Sequence, residues 1–315
     1  MKALVLGGNG FIGSHLVDVL LKAGHSVRVF DRYPERFRAP LPEVEYITGL
    51  FGDAFAMAEA LAGADVVYHL VSTTLPGTSN LNPADDVRDN LVGTLALLEQ
   101  MVKTGVKRIV YLSSGGTVYG NPESDPVTED HPLRPICSYG VVKVAVEKYL
   151  FMFRQLYGLS PVVLRPSNAY GPRQGHLGVQ GIMATFLGNV AAGKPLVVWG
   201  DGSIIRDYVY AADLARICLM AGESDFSGVF NVGSGRGNSV SEIIETIIRV
   251  TGEKPEIRYE PARRFDVHKV VLDISRIVQT YGWRPETVLE DGIAKQWQWW
   301  IRKRPVREIP EEDRD

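Results

Sequence analysis

The stretch ALVLGGNGFIG, residues 3–13, decides the fold. Four apolar residues, Ala3 to Leu6, read as a buried strand that ends in glycine. From Phe11 onward the apolar positions Phe11, Ile12, Leu16, Val19, Leu20 and Ala23 fall at helical spacing, and Gly24 stops the helix. A strand, a glycine turn and a helix in that order form a cradle for a pyrophosphate. Gly7 permits the tight turn, Gly10 lets a phosphate approach the backbone at the helix N-terminus, and Gly13 lets helix and strand pack closely. Three spaced glycines alone mark an ordinary turn. The strand before them and the helix after them point to a dinucleotide site.

Outward from this cradle, residues 26–30 read as a second strand, and Asp31 ends it. A carboxylate there accepts hydrogen bonds from an adenosine ribose and repels a 2′-phosphate, which favours NAD over NADP. Arg32 is the counter-signal, since an arginine can accept that phosphate. Apolar runs at 44–47, 66–70, 109–112 and 162–164 predict further strands, with helical patterns at about 54–62, 84–104 and 139–157 between them. Alternating strands and helices with buried strands predict an α/β chain with a doubly wound parallel sheet. After Arg165-Pro166 glycine and proline become dense (Gly171, Pro172, Gly175, Gly178, Gly181) and short elements mix irregularly. The expected organisation is a dinucleotide-binding domain at 1–165. Residues 166–315 should mainly form a smaller α+β substrate domain, with some segments returning to the first.

Composition excludes several classes. With 45% hydrophobic and 23% charged residues, the chain is neither disordered nor a disulfide scaffold. Lys+Arg 34 against Asp+Glu 37 leaves no basic excess for nucleic acid. Cys137, Cys218 and six scattered histidines lack metal-ligand spacing, so no metal is expected. No apolar run approaches the roughly 20 residues of a membrane span. Met1-Lys2 leads directly into a strand, so no leader is expected and the cytosol is the expected compartment.

A second motif lies at the start of the 139–157 helix. Tyr139 and Lys143 are four residues apart and share one face. An ammonium beside a phenol stabilises the phenolate and lowers the tyrosine pKa, giving a group that takes and returns a proton near neutral pH. A lone YxxxK carries little weight, but behind a dinucleotide cradle it carries much more.

With these motifs in hand, the chain resembles the extended short-chain dehydrogenase/reductase family, in particular its NAD-dependent epimerase/dehydratase members of the UDP-glucose 4-epimerase kind. The resemblance spans nearly the whole chain. It rests on Gly7 to Gly13, Asp31, VYHL at 67–70, NLVGT at 90–94, SSGGTVYG at 113–120, Tyr139 with Lys143, RPSN at 165–168, RDYVY at 206–210 and NVGSG at 231–235. It implies a Rossmann-type first domain. It also implies NAD contacts from Gly7, Gly10, Phe11, Ile12, Gly13, Asp31, Arg32, Leu70, Val71, Ser72, Asn90, Tyr139, Lys143 and Pro166. Sugar-nucleotide contacts are implied for Thr73, Thr74, Asn168, Arg206, Arg263, Asp266 and Val270. Guanidinium forks on Arg206 and Arg263 suit a diphosphate, and Val270 matches a position walling the sugar near C2.

Two departures from the family pattern matter. The hydroxyl that assists the tyrosine is replaced by Gly115, leaving Ser114 or Thr117 to supply it, with Thr117 slightly favoured as the sugar-facing group. The aspartate that meets adenine corresponds to Leu50, with Asp53 as a substitute if the loop shifts. The acidic pair of the dehydratases is also missing, because Gly116-Thr117 stands there. What remains is 4-epimerisation of a UDP-hexose through a transient 4-keto sugar, by a homodimer paired through the 84–104 and 139–157 helices. The alternatives are a UDP-uronic acid 4-epimerase, another nucleotide-sugar oxidoreductase of the same fold, and a non-catalytic NAD-sensing regulator. Retention of both Tyr139 and Lys143 argues against the regulator.

Overall fold

Strand β1 (Lys2–Leu6) is buried from Ala3 onward because helices cover both faces of its sheet, so its side chains need no polar alternation. The computed structural model describes residues 1–175, 181–262 and 267–302. After β1 come α1 (Phe11–Lys22), β2 (Ser26–Asp31), β3 (Val44–Thr48), α2 (Ala54–Leu61) and β4 (Val66–His69). A short helix α3 (Pro83–Asp86) runs through a π-helical segment (Val87–Val92) into α4 (Gly93–Thr104). Strand β5 (Arg108–Leu112), the long helix α5 (Ser138–Tyr157) and β6 (Ser160–Pro166) follow.

The remaining elements are β7 (Asn168–Tyr170), α6 (Ile182–Ala191), β8 (Leu196–Trp199), β9 (Ile205–Tyr210), α7 (Ala211–Glu223) and β10 (Gly228–Val232). Beyond them lie β11 (Gly237–Ser239), α8 (Val240–Thr251), β12 (Ile257–Glu260), β13 (Lys269–Val270), α9 (Ser275–Tyr281) and α10 (Leu289–Arg302). No helix among the described residues is long and apolar enough to cross a membrane.

Seven strands form one parallel sheet in the order β10-β6-β5-β4-β1-β2-β3. The order reverses at β1, which lies between β2 and β4, so a crevice opens at the carboxyl end of β1. Helices α1 and α7 cover one face through Leu16, Leu20, Leu214 and Cys218. Helices α2, α4 and α5 cover the other through Leu61, Leu98, Val146 and Leu150. Three segments from beyond residue 166 therefore belong to the first unit: α7, the strand β10, and α9, whose Ile277 packs in the same core. Arg108 fixes the end of that excursion, donating to the carbonyls of Ala221 (3.2 Å) and Phe226 (2.7 Å).

The second unit has its own core around Met183, Phe186, Leu196, Ile243, Ile247 and Ile293. It is latched to the first beside the glycine turn. Arg173 pairs with Asp18 of α1 at 2.7 Å, and the His15 ring hydrogen bonds to the Pro172 carbonyl at 2.9 Å. Burial, and the nearby Arg173 and Arg38, hold that imidazole neutral, with its pKa lowered to about 4.

One buried network joins α5 to the sheet. Arg165 Nε and Nη2 donate to the two oxygens of Glu147 at 3.0 and 2.5 Å, and Ser113 Oγ donates to Glu147 Oε1 at 2.5 Å. Arg165 Nη1 reaches Tyr119 Oη at 3.0 Å, which donates to Asn231 Oδ1 of β10 at 2.6 Å. Both members of the ion pair are almost fully shielded. Removing one partner leaves the other charged and alone. Glu147→Ala should therefore cost about 3–5 kcal/mol of stability. Glu147→Leu combined with Arg165→Met should cost clearly less. Denaturant midpoints of the three proteins decide this, and equal loss in the single and double variants would contradict it.

Candidate active site

The carboxyl end of β1 meets α1 at closest approach. A Cβ on Gly13 would lie 2.1 Å from the Gly7 carbonyl oxygen and 2.8 Å from Gly8 Cα, so no side chain fits. Gly7 has φ +83° and packs against the backbone of Leu70 and Val71. Gly10 starts α1 with no side chain capping the helix, leaving its first N–H groups open to an anion. Phe11 and Ile12 form the first turn. Asp31, at the end of β2, accepts from Asn9 N at 3.0 Å and Tyr33 N at 3.1 Å, which draws its carboxylate to the rim of the turn. Arg32 lies over the Tyr33 ring at 4.6 Å. These features fit a dinucleotide with a free ribose.

On the far side of the crevice, Asn90 organises the loop after β4. Its Oδ1 accepts from Thr73 N at 2.9 Å, and its Nδ2 donates to Thr73 Oγ1 at 2.9 Å and to Asp86 at 2.8 Å. Ser72 Oγ closes the loop onto the Thr74 carbonyl at 3.0 Å. Asp53 does not reach into the crevice. Its carboxylate caps α2 through Phe55 N and Ala56 N, while Leu50 is exposed.

Tyr139 and Lys143 occupy the first two turns of α5, on the face toward β5. Lys143 Nζ donates to the Leu112 carbonyl at 2.8 Å and lies 4.8 Å from the Tyr111 ring and 5.3 Å from the Tyr139 ring. In the free protein it is burial that governs the phenol. Burial pushes the Tyr139 phenol well above its ordinary value, with Cys137 and Asp86 adding to the effect. Burial also lowers Lys143 to about 8, against the opposing pull of Glu147 and Asp86. The Ser114 hydroxyl acts on Tyr139 in the opposite sense to burial, in favour of the phenolate.

The structure explains why that hydroxyl sits at Ser114. A Cβ on residue 115 would fall 2.5 Å from Leu272 Cδ1 and 2.9 Å from the Arg165 carbonyl oxygen, and Gly115 N already donates to Pro166 O at 2.8 Å. Position 115 has no room for a serine. Thr117, the alternative slightly favoured from sequence, makes no hydrogen bond to Tyr139. Its Oγ1 is buried without a partner.

The second unit holds an open cavity of about 360 Å³. Asn168 and Arg206 line it, as expected from sequence. So do Phe186, Trp199, Ile204 and Tyr208, which sequence reasoning missed. The alternating burial of β8, with Leu196 and Val198 inward and Trp199 outward, is the signal that marks the tryptophan as a wall. Asn168 Nδ2 donates to the Asp207 carbonyl at 3.0 Å, and Arg206 pairs across from Val270 on β13. Val270 itself is buried with Val118, Tyr119, Val127 and Leu272. Arg263 and Asp266 lie outside the described residues.

The profile of the NAD dependent epimerase/dehydratase family matches residues 3–233. The UDP-glucose 4-epimerase of Mycolicibacterium smegmatis is 37% identical over 308 residues, covering 94% of this chain and 97% of its own. The crystal structure of Thermotoga maritima UDP-glucose 4-epimerase with UDP-glucose superposes with a TM-score of 0.92. It is 35% identical and covers 96% of this chain and 99% of its own. The Thermus thermophilus UDP-glucose 4-epimerase in complex with NAD gives a TM-score of 0.90 at 34% identity, with coverage of 96% and 100%.

The contacts that exclude a Cβ on Gly13 are backbone atoms, which cannot swing aside. Gly13→Ala should lose dinucleotide binding, read by cofactor content after purification; full retention would contradict this geometry. Ser114→Ala should slow turnover far more than Thr117→Val. The reverse order would mean that Thr117 serves Tyr139 instead.

Proposed function

The chain belongs to the NAD dependent epimerase/dehydratase family, and from that premise we propose that it inverts C4 of a UDP-hexose through a transient 4-keto sugar. One observation carries the reading. The site holds a single acid/base unit, Ser114–Tyr139–Lys143, and Gly116 and Thr117 stand where an eliminating enzyme would place its acidic pair. Such a site moves one proton out and back.

Gly7, Gly10 and Gly13 hold the pyrophosphate of NAD, and Asp31 receives its adenosine ribose. NAD, when bound, supplies the acceptor and donor of the C4 hydride and, in its oxidised form, a positive charge. Tyr139 Oη takes the proton from the C4 hydroxyl and returns it to the inverted oxygen. Ser114 holds the C4 oxygen and the phenolate in one hydrogen-bonded line. Lys143, anchored on the Leu112 carbonyl, supplies the cation that favours the phenolate. The cavity between β8, β9 and α6 takes the uracil and ribose, with Trp199 and Phe186 as apolar walls. Arg206 faces the diphosphate. Holding the nucleotide end matters because the keto sugar is neutral at its reacting end and has to turn without leaving.

The assembly follows from the surface. Helix α5 exposes Val141, Phe151 and Leu156, and the π-helical segment beside it exposes Val87 and Val92. Exposed apolar side chains on two neighbouring elements are the mark of an interface, and we assign it to a homodimer.

Tyr139→Phe should lower epimerisation by roughly 10²–10⁴-fold, the usual contribution of an acid/base group, with NAD retained. Product NMR with UDP-glucose, UDP-N-acetylglucosamine and UDP-glucuronic acid measures both rate and sugar choice. Near-normal turnover in the Phe variant would end the mechanism. If Val270 borders the C2 substituent, Val270→Tyr should abolish turnover of the N-acetyl sugar selectively. Equal loss on both hexoses would remove Val270 from that role. Sedimentation at micromolar concentration should show a dimer that Phe151→Asp weakens; a wild-type monomer would refute the interface.

A further inference from the structure

Asp86 ends α3 with its side chain fully shielded from solvent, and the mechanism above gives it nothing to do. Three donors from three segments close on it. Thr74 Oγ1 and Asn90 Nδ2 reach Oδ1 at 2.7 and 2.8 Å, and Ser138 Oγ reaches Oδ2 at 2.7 Å. The Asn90 amide nitrogen can only donate, so Asp86 acts as an acceptor. The neighbouring Arg88 turns outward to Asp85 instead. Among the described residues Asp86 therefore forms no ion pair.

Burying a charge without an ion pair is costly. A neutral side chain could pin the same three segments at lower cost, so the charge itself calls for a reason. Its neighbours provide one. Lys143 lies by the rings of Tyr139 and Tyr111, Glu147 and His69 are among the groups that act with it, and Asp86 is bonded to Ser138 at the start of the same helix. Burial keeps His69 neutral, lowered to about 3. Glu147 is already committed to Arg165. Among the described residues Asp86 is thus an anion, held against the Lys143 helix through Ser138, whose charge no bonded cation cancels. Tyr139 in turn faces Ser114, Cys137 and Asp86.

We propose that Asp86 is a positioning residue for the epimerisation read above: its carboxylate pins the start of the Tyr139 helix to the Thr73–Thr74 loop and stands as the counter-charge of the Lys143 ammonium. The inference rests on that reading of the site. Its sign is fixed. An anion favours the protonated amine, so without it Lys143 gives up its proton at lower pH.

The test follows isotope-labelled lysine side chains by NMR across a pH series in the NAD-bound protein, with Lys143 assigned by the signal lost in Lys143→Met. In Asp86→Asn, which keeps the shape and removes the charge, the Lys143 midpoint moves to lower pH. The alkaline limb of UDP-hexose turnover moves with it, and turnover at neutral pH falls roughly 10- to 100-fold. Asp86→Ser, which leaves space for water among the three donors, gives the same shift and serves if the Asn variant does not fold. Ser138→Ala removes one bond but no charge, and leaves the midpoint in place. A midpoint unmoved in the Asn and Ser variants, or moved as far in Ser138→Ala, overturns the proposal. Absence of UDP-hexose turnover in the wild-type protein would instead overturn the epimerase reading, since the lysine titration needs no turnover.

Discussion

The pairing of Arg165 with Glu147 is the constraint on which the rest of the site depends. Glu147 lies one turn beyond Lys143 on α5, and Arg165 sits at the end of β6, so the pair sets the height of the helix over the sheet. The same carboxylate takes the Ser113 hydroxyl, fixing the residue beside Ser114. Through Tyr119 the guanidinium reaches Asn231 on β10, a strand that arrives from sixty-odd residues further along the chain. Positioning Tyr139 against Ser114 therefore requires β10 to be in its place. A buried ion pair is weak evidence for net stability but strong evidence for a single geometry where many bonds converge on it. Here it joins four elements at the one place where an error of an ångström would separate an acid/base from its partner.

A second consequence is electrostatic. Burial acts in opposite directions on the two ends of the catalytic pair, raising the Tyr139 phenol and lowering the Lys143 amine. In the free protein the pair is thus held in its less reactive form, a neutral phenol beside a cation that is easily discharged. Further charge that favours the phenolate comes with the ligands. This suits an enzyme whose cofactor is recycled, because a phenolate formed before substrate arrives would only meet water. The Ser114 hydroxyl favours the phenolate, whereas the Asp86 carboxylate favours the Lys143 ammonium and opposes the phenolate.

Most of the architecture was legible in the sequence because it is local. The run Ala3 to Leu6, the glycines and the helical spacing from Phe11 specify β1, the turn and α1 without help from elsewhere. The expected helix at 139–157 matches α5 to within one residue. What was not legible depends on contacts between distant segments. Residues 228–232 look like many short apolar runs, and nothing within them states that they pair with β6. Gly115 looked like a lost catalytic hydroxyl. Only the approach of Leu272 and the Arg165 carbonyl shows that a side chain has no room there. Asp86 follows Pro83 and Asp85 at the start of a helix, where acids favour the helix dipole and normally face water. Thr74 and Ser138, both far along the chain from one another, turn it into a buried group. Asp53 is the converse: a carboxylate that looked available for a ligand is spent on capping α2.

These placements also bear on why one proton-moving unit suffices. Inverting C4 requires the sugar to present first one face and then the other to the same tyrosine, so the reacting end needs space and the nucleotide end needs grip. The structure divides these tasks between its two units. The cavity bounded by Trp199, Phe186 and Arg206 belongs to the second unit and has its own core. Tyr139 and Ser114 belong to the first and are locked by Arg165 and Glu147. The latch of Arg173 on Asp18 and of His15 on the Pro172 carbonyl fixes the two units at the glycine turn, the point nearest the cofactor cradle. A substrate held at its far end by one unit can turn against a tyrosine held rigidly by the other, and no second acid is needed to finish the reaction.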